Sequence, residues 1–199
     1  MVRIDCFKYG TIFDTANPDN SILISDLMRK VQIEDMSVCE QVIGSAAGAA
    51  PAMPGYYGAI FAEVEVDTET GEVNVLKLTS AFDVGRAINP DLVKGQITGG
   101  GVMGMGFALT EDLLVEDGRI LNSSFGDYRL LRACDVPEIV PIIVESNEPT
   151  GPFGAKGIGE GCMVNVASAI SNAICHATGV RLTALRMTPE AILQGLKER

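Results

Sequence analysis

Glycine is concentrated in two parts of this chain, and the longer part constrains the fold most. Asp91–Asp112 contains no helix breaker other than glycine, and the Asn89-Pro90 pair before it is typical of a helix start, because asparagine caps and proline suits the first turn. Each interior glycine costs a helix about 0.5–1 kcal/mol relative to alanine. We therefore predict a helix whose glycines allow the close approach of another backbone or of a ligand. These glycines are Gly95, Gly99, Gly100, Gly101, Gly104 and Gly106.

The second glycine-rich part is the segment Gly151–Gly161, which is predicted to be a loop. Glycines at this density let a backbone adopt positive φ values and lie close to a bound group. Glu160 stands at the end of the loop, directly before a small-residue helix predicted over Cys162–Thr178. Two interpretations of this carboxylate stay open: it interacts with the helix dipole, or it is a buried general base.

The rest of the chain predicts an α+β fold with mixed sheets and helices. Apolar and polar residues alternate over Ile60–Val66, and a turn at Asp67–Gly71 leads to a partner strand over Val73–Thr79. Strands and helices do not alternate regularly, which favours α+β over a doubly wound sheet. The other predicted elements are a helix over Asp26–Gln32 capped by Ser25, a connector at Gly44–Gly55, a hairpin of Leu113–Glu116 and Arg119–Asn122, strands over Ile139–Glu145 and Arg181–Met187, and a last helix from Thr188-Pro189 to Glu198.

Composition excludes several classes of function. The net charge is −11, and no run of Lys or Arg exceeds two residues, which argues against nucleic-acid binding. The five cysteines are odd in number and lack Cys-x-x-Cys spacing, so we predict neither a disulfide framework nor a zinc or iron–sulfur site. Free thiols point to a cytoplasmic protein. The longest apolar run, Gly99–Leu109, is about half of what a membrane span needs, and no signal peptide is visible.

Two other patterns carry less weight. Gly99–Gly104 matches the G-x-G-x-x-G dinucleotide pattern, but a predicted helix precedes it where that motif requires a strand. Helix packing is therefore the favoured role of these glycines. His176 is the single histidine, so this chain alone cannot assemble a zinc site or a Ser-His-Asp triad.

Four motifs occur in one order that resembles a known family. They are DVGRAINP at Asp83–Pro90, GQITGG at Gly95–Gly100, NSSFGDY at Asn122–Tyr128 and GAKGIGE at Gly154–Glu160. Together they closely resemble the C-terminal part of the molybdenum-binding subunit of the xanthine dehydrogenase/aldehyde oxidase family. The resemblance runs from about Tyr57 to about Glu198, and it divides the chain into an N-terminal segment without an assigned fold (1–56) and the C-terminal portion of a molybdopterin-binding domain (57–199).

The resemblance implies a molybdenum hydroxylase. In this family a glutamate at the position of Glu160 is the general base on the molybdenum-bound hydroxide, and water-derived oxygen is transferred to an electron-poor carbon of an N-heterocycle or an aldehyde. A purine is favoured on overall resemblance. The implied cofactor is molybdopterin, either plain or as the cytosine dinucleotide, with no residue of this chain as a direct metal ligand. The residues implied to bind the cofactor are Gln96, Ala155, Lys156, Gly157, Ile158 and Gly159.

The resemblance also implies partners. The remaining portion of the molybdenum subunit, iron–sulfur clusters and FAD are expected on partner domains or subunits, and self-association of the chain is a further expectation. The chain alone is expected to be inactive. One departure from the family is that Gly161 follows Glu160, where many relatives have proline. The alternative function is a non-catalytic fragment, or an assembly or scaffold subunit without bound cofactor.

Overall fold

The computed structural model describes residues 6–8, 10–14, 16–30 and 55–199. The chain divides into two compact units, Met1–Ala49 and Ala50–Arg199. The predicted boundary after residue 56 stays a prediction. In the described ranges no helix is long and apolar enough to cross a membrane.

The described residues of the first unit form a small antiparallel sheet followed by one short helix. The strands are β1 (Cys6–Lys8), β2 (Thr11–Phe13) and β3 (Ser21–Leu23), and helix α1 is Ile24–Arg29. The predicted cap at Ser25 is wrong, because the N-cap residue is Leu23 and Ser25 lies in the first turn. Leu23 still pairs with Thr11 of β2, so the helix begins directly where the strand ladder ends. The predicted connector Gly44–Gly55 lies outside the described residues, except for its last residue.

The second unit is built on a three-stranded sheet with β5 at its centre. Strand β4 (Gly58–Val66) pairs antiparallel with β5 (Val73–Asp83), and β8 (Glu138–Val144) pairs parallel with β5 on the other side. The predicted hairpin is confirmed, but β5 runs past its predicted end at Thr79. The extension follows from pairing on both sides, and it places Phe82 in the core without solvent exposure.

The described residues of this unit also form four α-helices, and two of the predicted caps are confirmed. The helices are α2 (Pro90–Leu109), α3 (Gly161–Val164), α4 (Val166–Thr178) and α5 (Pro189–Lys197). The Asn89 side chain accepts a hydrogen bond from the Leu92 N–H at 3.1 Å, and the Thr188 hydroxyl accepts one from the Ala191 N–H at 3.3 Å. The helix predicted over Cys162–Thr178 is divided at Asn165 into α3 and α4. The arrangement is α+β, as predicted.

The largest cluster of buried side chains joins the sheet to α2, α4 and α5. Its buried members are Val75, Leu78, Met105, Ala108, Val166, Ile170, Ile174, Met187 and Ile192. Burial of this many aliphatic side chains is the main favourable contribution to folding, at about 1.5–3 kcal/mol for each large residue.

The predicted strand over Arg181–Met187 is wrong, whereas the small hairpin is confirmed in shorter form. The segment after α4 is hydrogen-bonded to helices and not to a strand. Leu182 O accepts a hydrogen bond from Ser171 Oγ of α4 at 2.8 Å, and Met187 N donates one to Ala108 O of α2 at 2.9 Å. Leu182 and Met187 therefore pack in the cluster with the helices, whereas Ala184 and Leu185 are exposed. The confirmed hairpin consists of β6 (Val115–Glu116) and β7 (Arg119–Ile120) around a turn in which Asp117 and Gly118 have positive φ.

The glycines of α2 serve two different faces. A Cβ at Gly100 would lie 2.6 Å from Cys162 Cβ, and one at Gly104 would lie 2.6 Å from Val166 Cβ, so these two glycines allow α2 to contact α3 and α4 closely. At Gly95 and Gly99, by contrast, a Cβ would meet no described atom within 4 Å. Helix α2 continues without interruption through the G-x-G-x-x-G pattern, so the dinucleotide interpretation is wrong.

A buried ion pair holds the glycine-rich loop to the end of β5. Lys156 Nζ lies 2.7 Å from Asp83 Oδ2, and the two side chains are only 6% and 11% exposed. Asp83 Oδ1 also accepts hydrogen bonds from the Gly85 N–H and the Ser146 hydroxyl. The hydrogen bond from Lys156 is the main reason why the pKa of Asp83 is lowered to about 2.

We predict that Gly104→Ala destabilises the purified chain, whereas Gly99→Ala does not. The added methyl at position 104 forces α2 away from Val166, and overpacking of this kind costs about 1–3 kcal/mol. At position 99 the methyl group has open space, so the higher helix propensity of alanine adds about 0.5–1 kcal/mol. Urea denaturation of both variants measures the difference, and equal midpoints would show that the contact at Gly104 does not limit packing.

We also predict that Asp83→Asn lowers the free energy of unfolding at pH 7 by about 2 kcal/mol, the usual cost of losing hydrogen bonds to a charged group. Because the folded-state pKa of Asp83 is depressed, its contribution is complete above about pH 4 and disappears as the pH falls towards 2. The stability gap between wild type and variant should therefore close over that range.

The matched control for this prediction is Glu138→Gln, which removes the more exposed Lys77–Glu138 pair between β5 and β8. Exposed pairs contribute about 0–1 kcal/mol, so a smaller change is expected at every pH. Equal losses for the two variants in denaturation experiments between pH 2 and 7 would contradict the assigned role of Asp83.

Candidate functional site

A cleft of about 220 Å³ lies between the start of α2 and the glycine-rich loop. Gln96 lines it from the helix, while Ala155, Lys156 and Ile158 line it from the loop. The fold thus brings four of the residues implied to bind the cofactor to one place, although they lie far apart in the sequence. Gly157 and Gly159, which were predicted with them, are exposed and are not among the lining residues.

Backbone hydrogen bonds fix the first half of the loop to the segments that follow β5 and β8. The Lys156 N–H donates to Val84 O at 2.8 Å, and the Glu148 N–H donates to Gly154 O at 3.0 Å. Gly85 and Gly154 both have positive φ, and a Cβ at Gly85 would overlap the carbonyl oxygen of Gly154. Glycine is therefore required where these two segments meet.

The second half of the loop presents free backbone donors. Among the described residues, the N–H groups of Gly157, Ile158 and Gly159 have no hydrogen-bond acceptor. A Cβ at Gly157 or Gly159 would meet no described atom within 4 Å. Successive unpaired N–H groups beside open space can donate to the polar atoms of a bound group.

Glu160 directly follows these donors and is exposed. It occupies the N-cap position of α3 but makes no side-chain capping hydrogen bond. Of the two interpretations left open, the one in which Glu160 is buried does not agree with the described part of the chain, where the residue is exposed. Its role as a general base stays a prediction. The interaction of Glu160 with the helix dipole is weak, because α3 contains only four residues.

The Lys156 side chain has a structural role. Besides its ion pair with Asp83, the ammonium donates to Gly55 O at 2.9 Å and lies 5.3 Å from the centre of the Tyr57 ring. All of these contacts stay within the chain, and the Lys156 N–H is bonded to Val84 O, so this residue supports the loop from inside the chain. Burial is the main cause that raises the pKa of nearby Tyr56, with the charge of Asp83 a minor one.

Sequence analysis missed three residues that the structure brings to the cleft or its support. Arg86 and Asn89 line the cleft beside Gln96, and Asp83 anchors the loop through Lys156. All three belong to the first of the four motifs, Asp83–Pro90, in which only Asn89 and Pro90 had a predicted local role, as a helix start. The sequence signal that could have identified them is a carboxylate, Asp83, at the end of a buried strand, followed closely by Gly85 and Arg86.

The cleft offers amide, guanidinium and backbone donors. In residues 6–8, 10–14, 16–30 and 55–199, no group of three or more His, Cys, Asp or Glu side chains could hold a metal ion. His176 lies in the last turn of α4 and is exposed, away from the residues that line the cleft. These donors suit the polar edge of an organic cofactor.

Comparison with known proteins identifies the family. Residues 11–137 match the family model of the molybdopterin cofactor-binding domain. The chain is 34% identical over 143 residues to the putative xanthine dehydrogenase molybdenum-binding subunit of Escherichia coli K12, which corresponds to 71% of this chain and 19% of that subunit. It is 39% identical over 149 residues to subunit gamma of the 6-hydroxypseudooxynicotine dehydrogenase complex of Paenarthrobacter nicotinovorans, again 71% of this chain and 19% of the relative.

The solved structure of an aldehyde oxidoreductase from Desulfovibrio gigas has the same fold. It superposes with a TM-score of 0.66 at 37% identity, over 71% of this chain and 15% of that chain. The chain spans about a fifth of the length of the curated relatives that it matches. Since the family model covers more than half of the chain, the protein belongs to the molybdopterin cofactor-binding family of xanthine dehydrogenase and aldehyde oxidoreductase molybdenum-binding subunits.

Proposed function

We propose that this chain supplies one wall of the cofactor site of a molybdenum hydroxylase, together with the general base of its reaction. The observation that carries the proposal is the single cleft lined by Gln96 from α2 and by Ala155, Lys156 and Ile158 from the loop. The family assignment supports molybdopterin as the group that this cleft receives.

The residues present fit a flat, polar cofactor. The Gln96 side chain is exposed at the cleft, and its amide can both donate and accept hydrogen bonds. The N–H groups of Gly157, Ile158 and Gly159 are unpaired among the described residues, and the space beside the two glycines is open. A bound pterin edge would satisfy these donors and would account for glycine at 157 and 159, where no contact within the described residues requires it.

Glu160 is proposed as the proton acceptor. When bound, the molybdenum cofactor supplies a water-derived oxygen nucleophile and accepts two electrons from the substrate carbon. The Glu160 carboxylate directly follows the free N–H groups of the loop and makes no capping hydrogen bond, so it is available to take up the proton of that oxygen. General bases of this kind contribute about 10²–10⁴-fold to a rate.

The substrate class follows from the same proposal. We infer hydroxylation of an electron-poor carbon in an N-heterocycle or an aldehyde, with a purine favoured by the original resemblance. Relatives named for xanthine, for 6-hydroxypseudooxynicotine and for aldehydes are similarly close to this chain, which supports the broader class. A cytoplasmic complex with iron–sulfur and flavin components, and a cofactor carrying a cytosine dinucleotide, belong to the proposal as well.

We predict that the purified chain alone neither retains molybdenum nor turns over substrate. The described cleft provides only one wall of the proposed cofactor site, and about four fifths of the relatives' length lies outside the matched part. Metal analysis of the purified chain checks the first expectation, and assays with xanthine and an aromatic aldehyde check the second. Hydroxylase activity of the single chain would contradict the requirement for further subunits.

In the assembled complex, Glu160→Gln should lower kcat at least 100-fold while the molybdenum content stays unchanged. The amide keeps the shape of the side chain but cannot accept the proton, so only the chemical step is affected. Steady-state kinetics together with metal analysis by mass spectrometry measure the two quantities. Glu63→Gln, which changes an exposed carboxylate on β4, is the control and should leave both unchanged.

Two results would count against this role. Turnover of Glu160→Gln within threefold of wild type would leave a non-catalytic fragment or scaffold subunit as the better description. A parallel loss of molybdenum and turnover would make Glu160 a binding residue rather than a base.

A further inference from the structure

The short segment of residues 55–57, directly before β4, contacts the glycine-rich loop at two places. Near the middle of the loop, Gly55 O accepts a hydrogen bond from Lys156 Nζ at 2.9 Å. At the end of the loop, the Tyr56 ring lies against the backbone of Gly161, the residue that follows Glu160. Residues 55–57 therefore hold the part of the loop that carries the free N–H groups between two contacts.

The Tyr56 ring is packed between the core and the start of α3. Its centroid lies 5.9 Å from that of Phe82, which has no solvent exposure, and its hydroxyl lies 4.0 Å from Cys162 Sγ. A Cβ at Gly161 would overlap the ring. Glycine at this position is therefore what lets the ring lie beside the Cys162 thiol.

The Cys162 thiol fixes the orientation of one peptide group in the loop. Its Sγ donates a hydrogen bond to Ile158 O at 3.1 Å. Burial raises the pKa of this thiol, so it keeps its hydrogen at neutral pH and stays a donor. The Ile158–Gly159 peptide is trans, so its N–H points away from its carbonyl. With the carbonyl turned towards buried Cys162, the Gly159 N–H is turned to the side where a Cβ at Gly159 would meet no described atom.

The backbone on both sides of the Glu160 carboxylate is fixed in this way. Cys162 holds Ile158 O before it, and the Met163 N–H donates to Glu160 O at 2.9 Å after it. The carboxylate itself is exposed and makes no capping hydrogen bond. A fixed backbone with a free head group is what a general base needs, because a small displacement of a reacting group lowers the rate strongly.

We propose that Tyr56 and Cys162 are positioning residues for Glu160 and for the Gly159 N–H. The inference rests on the proposed function, because it explains how the base named there is held. The Tyr56 ring keeps the Cys162 side chain in place, and the thiol in turn holds the loop peptide through Ile158 O. Both side chains act through the loop, so neither has to touch the substrate or the cofactor.

Alkylation of the full chain with iodoacetamide tests the contact at Tyr56, with the rate at each cysteine followed by peptide mass spectrometry. Tyr56→Ala removes the ring and Gly161→Ala displaces it, so each should raise the rate at Cys162 by about tenfold or more. Tyr56→Phe keeps the ring and is the matched control. Half-buried Cys175 of α4 reports general loosening and should react at the same rate in all variants. An unchanged rate at Cys162 in both alanine variants would overturn the assignment of Tyr56.

Two variants of Cys162, studied in the assembled complex, separate hydrogen bonding from packing. Cys162→Ala removes the donor to Ile158 O, and we expect it to lower kcat by about tenfold or more, with KM and the molybdenum content unchanged. Cys162→Ser keeps a donor and should retain a kcat close to that of wild type. A role in packing alone predicts the opposite order, because a hydroxyl group without a partner destabilises an apolar cluster more than a methyl group does.

The failures of the two proposals can be distinguished. A wild-type kcat in Cys162→Ala, in a complex that Glu160→Gln inactivates, would overturn the positioning role and leave the proposed function intact. Equal losses of kcat in Cys162→Ala and Cys162→Ser would overturn it as well, since the hydrogen bond to the loop would then have no effect. Full activity of Glu160→Gln would overturn the proposed function and, with it, the positioning role for Glu160.

Discussion

The close approach of α2 to α3 and α4 is the contact on which the second unit depends. Gly100 and Gly104 stand where any side chain would overlap Cys162 or Val166, so the distance between the helices is set by backbone rather than by side chains. Because α2 also covers the sheet through buried Met105 and Ala108, its position is determined from two sides. Gln96 is carried on the outer face of the same rigid helix, so the orientation of this residue at the cleft follows from the packing.

The opposite wall of the cleft depends on a different kind of interaction. The loop has few apolar side chains, and its attachment relies on the Asp83–Lys156 ion pair and on backbone hydrogen bonds near Val84. Either partner of a buried pair would be an uncompensated charge if the two groups separated, so the pair holds the loop in one position. One wall of the cleft, helix α2, is thus positioned by packing, whereas the other wall, the glycine-rich loop, is positioned by an ion pair and hydrogen bonds.

Local patterns in the sequence predicted most elements of the second unit, and tertiary contacts account for the errors. Alternation identified β4 and β5, and Asn89 and Thr188 identified two helix starts, because these signals act within a few residues. The residues of Arg181–Met187, which were predicted to form a strand, could not reveal that their hydrogen-bond and packing partners would be helices. The four motifs anticipated the meeting of Gln96 with the loop, whereas the exposure of Glu160 depends on which elements cover it, a property that local sequence does not encode.

The parallel pairing of β5 with β8 has a consequence for the order of events during synthesis. Strands β4 and β5 are joined by a short turn and can pair early, whereas β8 must return after the whole of α2 and the small hairpin have been made. Closing so long a loop costs more chain entropy than closing a hairpin. The loop wall of the cleft follows β8 in the chain, so the cleft is complete only after β8 and this loop have been made. The proposed cofactor site therefore needs the chain beyond β8 as well as α2 before its two walls can face each other.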